Sequence, residues 1–158
     1  MINKVILASQ SGIRLKILKN YNYEVQQFSS GIDEEEIKLS LIENGATCLQ
    51  IAKNLAELKA NRISAKFPNE VVIGADQTME FEGKNFSKPK DKAEAKATLE
   101  LLNNKKHFLH SAICVSRSGS MISNFHESCS LKVKKLTNDD INDYIKKLDL
   151  EEMLKYGL

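Results

Sequence analysis

The chain reads as an α/β domain, and three stretches carry that reading. Lys4 to Ala8 (KVILA) is a short buried strand, broken by Ser9-Gln10-Ser11-Gly12 before a helical segment from Arg14 to Asn20. Thr47 to Ala65 is a long helix, with Ile51, Leu55 and Leu58 at helical spacing and Ala52 and Ala56 beside them. Val71 to Ile73 is a β-branched run closed by Gly74-Ala75, with Asp76 directly after it. An acid at the carboxyl end of a buried strand stands where open α/β sheets place their ligand crevice.

The remaining elements follow from the same signals. In the first helix Ile13, Ile17 and Leu18 are expected on one face. Tyr23 to Phe28 alternates weakly, as a strand does, and Ser29-Ser30-Gly31 turns it. Asp33 to Glu36 leads into a short amphipathic helix through Ile37, Leu41 and Ile42, and acids in a first helical turn suit the helix dipole. Lys59 falls one position after Leu58, on the flank of the long helix, where a lysine normally snorkels to solvent. Thr78 to Phe86 reads as two short strands about a Glu82-Gly83 turn. Asp91 and Glu94 have the spacing of a capping box for a helix lined by Ala95, Leu99 and Leu102. Phe108 to Ser116 is a core strand, and Ser118-Gly119 turns it into a long partner. In that partner Met121, Phe125, Cys129, Leu131 and Val133 share one parity, predicting a half-buried strand. Glu127 has the same parity, and an acid on an apolar face is costly unless paired, so it becomes a candidate site residue. Thr137 and Asp140 cap a last helix striped by Ile141, Tyr144, Ile145 and Leu148, and no closing element is evident after it.

Composition narrows the function classes. At 158 residues the chain is long enough to bury one real core, and it is expected to form a single domain. A net charge of +2 with no basic block argues against nucleic acid as a partner. Three widely spaced cysteines, without a CxxC or Cys/His cluster, argue against a zinc site or a disulfide framework, and fit a reduced cytoplasmic setting. No apolar run approaches membrane-spanning length, and the apolar stretch of MINKVILAS is too short for a signal peptide.

Two places have the chemistry of an anion site. A strand, a Ser/Gly turn and a helix start place backbone N–H groups and the positive end of a dipole around an anion. Ser9 and Ser11 add hydroxyls there, and Arg14 adds a fork for phosphate oxygens. The competing reading makes Ser9 or Ser11 a helix cap and Arg14 a solvated residue. Asp76 with Lys88 twelve residues later suggests a metal and a phosphorylated ligand; its competitor is Asp76 as a cap or turn residue. His107 and His110 lack a third ligand at metal spacing and read as structural.

Taken in order, these motifs form a recognisable series. Leu7-Ala8-Ser9-Gln10-Ser11 with Arg14 and Leu18, then Asp33-Glu34, Leu55-Ala56 with Lys59-Ala60, Gly74-Ala75-Asp76, Lys88-Pro89 before the Asp91 helix, and His107 with Ser111 are similar to the motifs of the Maf-like nucleoside triphosphate pyrophosphatases (Maf/Ham1, ITPase-like). The resemblance implies an elongated mixed β-sheet flanked by helices, in two lobes with a central cleft. It implies hydrolysis of nucleoside triphosphates, non-canonical or modified ones among them, to the monophosphate and pyrophosphate. It further implies a magnesium or manganese cofactor, a nucleoside triphosphate substrate, and room for a homodimer. Carried over by position, Asp76 accepts the proton of water and shares the metal with Glu34. Ser9, Ser11, Arg14, Lys59 and Lys88 hold phosphates, and Gln77 faces the base.

Three departures stand out. Gly12 and Ile13 replace the family's usual Pro and Arg or Trp. Gln77 replaces the Thr of a pyrimidine-specific branch and resembles the branch that accepts methylated guanine nucleotides. The family's usual C-terminal continuation past the Tyr-Gly region is absent, which suggests a C-terminally truncated Maf-like domain. The alternative function is therefore a weak or inactive nucleotide-binding remnant that acts through a protein partner. A dinucleotide-binding oxidoreductase lacks its G-x-G-x-x-G.

Overall fold

The structure is a computed structural model that describes residues 4–156. Six strands and six helices follow one another along the described residues: β1 (Lys4–Leu7), α1 (Gly12–Asn20), β2 (Glu24–Gln27), α2 (Glu34–Glu43), α3 (Cys48–Lys66), β3 (Val72–Phe81), β4 (Lys84–Phe86), α4 (Lys92–Leu102), β5 (Lys106–Arg117), β6 (Ser120–Lys132), α5 (Asn138–Lys147) and α6 (Leu150–Tyr156). The strands form one mixed sheet in the order β2-β1-β3-β5-β6, with β4 also on β3. The mixed sheet flanked by helices is as the sequence predicts. Contacts group the chain into two compact units, Met1–Thr78 with His110–Ser128, and Met79–Leu109 with Cys129–Leu158.

In the first unit β1 pairs in parallel with β2 on one side and with β3 on the other. The chain therefore leaves β1 in one direction and returns in the other, which makes β1/β3 a topological switch point, the usual seat of a ligand in such sheets. Two apolar clusters hold this unit. Ile6, Ala8, Ile63 and Val72 pack with Phe28 and Phe67, whose rings lie 4.7 Å apart. Ala52, Ala56 and Ala60 of α3 pack with Ala112 and Cys114 of β5. These small side chains let α3 lie very close to the sheet. A Cβ at Gly74 would collide with the Ala56 carbonyl and with Ala60, so only glycine fits there.

α3 begins in a complete capping box, in which Thr47 and Gln50 each accept from the other's backbone N–H. Its buried face is the expected one at Ile51, Ala52, Leu55 and Ala56 but not at Leu58. Leu58 is 42% exposed, whereas Lys59 is 4% exposed, in series with Leu55 and Ile63. The leucine's greater hydrophobicity is outweighed by the alanine-lined approach of helix to strand, which selects the face carrying Lys59. α1 also departs from expectation: it buries no residue, and Ile13 and Ile17 are exposed.

β3 is longer than its apolar run suggests. It continues through Asp76 to Phe81, so Asp76 lies inside a strand rather than after one. Its pairing with β1 nevertheless stops at Ile73, and its pairing with β4 starts at Met79. Asp76 thus still stands just past the parallel part of the sheet.

The second unit is built on the β3–β4 hairpin and the helices α4 to α6. Glu82 and Gly83 both take positive φ, as a two-residue hairpin turn of the primed type requires. Asp91 caps α4 by accepting from Glu94 N, but Glu94 accepts from Lys90 N, so the expected capping box is not reciprocal. Asn103 closes α4 and bonds the Leu136 backbone through both its amide groups, just before Thr137 and Asp140 box α5. Ile141 of α5 is buried, as is Met153 of α6, a closing helix that sequence reading misses.

β6 is an edge strand, and its expected half-buried face does not exist. Met121, Phe125, Cys129 and Leu131 are all exposed, and so is Glu127. The cost argument that singled out Glu127 fails, because there is no apolar face for it to burden.

Candidate active site

The site assembles from five segments of the first unit. The β1–α1 loop ends at Ser11, the N-cap of α1, whose hydroxyl accepts from Arg14 N at 3.4 Å. Ser9 is buried, and its Oγ accepts from Ser11 N and from Arg14 Nη1 at 3.1 Å. Both oxygen lone pairs of Ser9 are thereby engaged, which leaves its O–H to donate to an anion. Arg14 Nη1 also donates to the carbonyl of Ala75 at 2.8 Å, tying the loop to the residue before Asp76. From β2, Gln27 Nε2 donates to Ser11 O at 3.3 Å, a contact that no pattern in the sequence announces.

Lys59 stands at the centre. Its ammonium nitrogen is 2.8 Å from Asp76 Oδ1 and 2.9 Å from Glu34 Oε2. α3 presents the lysine from its buried face, β3 presents the aspartate, and the first turn of α2 presents the glutamate. Asp33 occupies the cap of α2 by accepting from Glu36 N, which frees Glu34 for Lys59. Of the four acids in that run, only Glu34 is drawn into the cluster.

Asp76 is 7% exposed, and burial holds its pKa above the ordinary 3.8 against the opposing pull of Lys59. Glu34 adds to the rise, and Arg14 counters it. Asp76 Oδ2 is buried without a hydrogen-bond partner. An orphaned carboxylate oxygen beside a second carboxylate fits a hard divalent cation, since magnesium takes one or two carboxylates and completes its shell with phosphate oxygens and waters. Among the described residues no three His, Cys, Asp or Glu side chains gather as a ligand set, so the protein would supply Asp76 and Glu34 alone.

The structure thus brings together Ser9, Ser11, Arg14, Lys59, Asp76 and Glu34. Gln77 lies between Asp76 and Thr78 on β3 and, unlike both, is exposed. Lys88 belongs to the second unit, where it is exposed and lines a surface groove with Phe86, Pro89, Glu94 and Leu101. His110 Nδ1 lies 2.7 Å from Ser128 Oγ, consistent with its structural reading.

A family model described as Maf-like protein matches residues 4–157. The chain belongs to the Maf-like family. Its relatives include the nucleoside triphosphate pyrophosphatase of Pelagibacter ubique (strain HTCC1062), 44% identical over 158 residues, covering 100% of this chain and 81% of that one. The 7-methyl-GTP pyrophosphatase of Brucella abortus biovar 1 (strain 9-941) is 40% identical over 122 residues, covering 77% of this chain and 61% of that one. Among solved structures, the Staphylococcus aureus Ham1 protein shares the fold at a TM-score of 0.51 and 19% identity, over 80% of this chain and 70% of that one. In this Maf-like chain the series of short motifs seen in the sequence is therefore spread over a full family match.

Proposed function

We propose that this protein hydrolyses nucleoside triphosphates to the monophosphate and pyrophosphate, acting on non-canonical or modified nucleotides of the cytoplasmic pool. The observation that carries the reading is Asp76: a buried carboxylate of raised basicity, with one unpartnered oxygen, beside a cluster of cationic and hydroxyl donors. The names of the family relatives given above support it.

In this mechanism Ser9, Arg14 and the N-terminus of α1 bind the triphosphate. Lys59 compensates its charge. Asp76 orients a water and takes its proton as the oxygen attacks the α-phosphorus. The bond to the bridging oxygen breaks, and pyrophosphate leaves. Positioning and charge compensation supply most of the catalysis in such a transfer. A magnesium or manganese ion held by Asp76 and Glu34 would neutralise phosphate charge and activate the leaving group. Gln77, with both an amide donor and an amide acceptor, reads the base.

The test is pyrophosphate release from a panel of canonical and methylated nucleoside triphosphates, with magnesium or manganese and with excess chelator. Release that needs the metal is expected. Binding of nucleotides without any release would favour instead a nucleotide-binding role through a partner.

A further inference from the structure

The same two carboxylates that would hold a metal are already joined by a cation. Lys59 Nζ lies 2.8 Å from Asp76 Oδ1 and 2.9 Å from Glu34 Oε2. It reaches them from a helix face packed so tightly that glycine is required opposite it, so the lysine stem has little room to withdraw. We propose that Lys59 competes with the divalent metal for Asp76 and Glu34, and that the triphosphate relieves this competition by giving the ammonium another anion. Metal and nucleotide then bind as a coupled pair, and Lys59 is the positioning residue that couples them. This rests on the function proposed above.

The electrostatics favour this over independent binding. A bound divalent ion would sit one carboxylate away from a fixed ammonium in a partly desolvated pocket, where like charges repel strongly. Asp76 Oδ2 is open to the metal even while Oδ1 keeps the lysine, so the site does not have to be dismantled for metal to enter. Phosphate oxygens reverse the balance. They add negative charge that both cations share, and they offer Lys59 acceptors in place of Glu34. Glu34 is the movable member, since its side chain is 41% exposed, against 8% for that of Asp76. A metal that binds only with its nucleotide also keeps two carboxylates from capturing free cations between turnovers.

The geometry makes opposite demands on two variants, which keeps the inference testable. Lys59→Met retains an unbranched stem and removes the charge. Titrated with Mn²⁺ alone and followed by electron paramagnetic resonance, it is expected to bind Mn²⁺ at least about tenfold more tightly than the wild type, because the like-charge repulsion is gone. Equal or weaker Mn²⁺ binding by the folded variant would overturn the inference. Glu34→Gln serves if Lys59→Met does not fold, since Glu34 is a half-exposed residue of a first helical turn. In chelator, a triphosphate with a methylene α–β bridge is expected to bind Glu34→Gln more tightly than wild type, because Lys59 has lost one of its two internal anions. Weaker binding there would make Glu34 a plain support and overturn the coupling. The two proposals fail separately: the Mn²⁺ titration contains no nucleotide, and turnover on the panel does not depend on its outcome.

Discussion

Two strands, β3 and β6, each carry one acid within the first unit, and they treat it in opposite ways. Asp76 on β3 is buried and ion-paired, whereas Glu127 on β6 is exposed. Local sequence singles out both, Asp76 by the apolar run before it and Glu127 by its parity with apolar residues. The difference is position in the sheet: β3 is flanked by β1 and β5 and covered by α3, while among the described residues β6 has a neighbour on one side only. An acid is costly where the sheet is covered and cheap at its edge. A covered acid that persists points to function, while an edge acid helps keep an exposed strand soluble.

The sharpest way to break this comparison is to neutralise the covered acid. Asp76→Asn keeps the shape and removes the base, so turnover is expected to fall by about 10²-fold or more. Analogue binding should persist, because Ser9, Arg14 and Lys59 remain. A variant that keeps its rate would reduce Asp76 to a structural acid and leave β3 no different in kind from β6.

The cover itself is the next target. Gly74→Ala drives a methyl group into the backbone of α3 at Ala56, and overpacking of this sort typically costs about 1–3 kcal/mol, occasionally more. Thermal or denaturant unfolding measures it. A loss well under that range would mean that α3 can retreat from β3, and the enforced burial of Lys59 would then need another cause.

Titration sharpens the comparison on a finer scale. Burial raises the pKa of Asp76 above 3.8, so the acid limb of kcat/KM is expected above the ordinary carboxylate range. The sign for stability follows from linkage. A raised native pKa means that the folded state holds the proton more tightly than the unfolded chain. The stabilisation is full below 3.8 and is lost as pH rises through the native pKa. Relative to Asp76→Asn, wild-type stability should therefore decline across that window. A relative rise would place the native pKa below 3.8. Asp140 is the opposite case: the backbone and hydroxyl of Thr137 lower its pKa, so its contribution is present above 3.8 and lost on acidification below it.

Much of the candidate site is legible in the sequence, and the reasons are local. Ser9, Ser11 and Arg14 sit within one strand-turn-helix, and Asp76 follows an apolar run, so short-range pattern locates them. Lys59 was misplaced because helical period alone allows two neighbouring faces. The alanines at 52, 56 and 60 mark the close-packed face, and Lys59 lies with them while Leu58 does not. β6 was misread for the converse reason: alternation gives parity, and parity is silent on whether anything covers the strand. α6 escaped because its cap, Asp149 accepting from Glu152 N, and its buried Met153 leave too short a pattern to separate from a loop.

The smallest expected effect belongs to the edge acid. Glu127→Gln removes a charge from a strand whose side chains are nearly all exposed, and substitutions at such positions usually stay within about 0.5 kcal/mol either way. Melting temperature, turnover and Mn²⁺ affinity should all match the wild type. The experiment is informative because the sequence makes both Asp76 and Glu127 candidates. If turnover fell while stability held, Glu127 would belong to the site despite its exposure, and cover would no longer separate a functional acid from a solvated one. If solubility alone fell, the acid would be acting as an edge guard, since an exposed strand edge carrying Ile122 and Phe125, each 61% exposed, is a template for pairing with another chain. That result would strengthen the comparison, because it gives the two acids distinct tasks set by where their strands lie in one sheet.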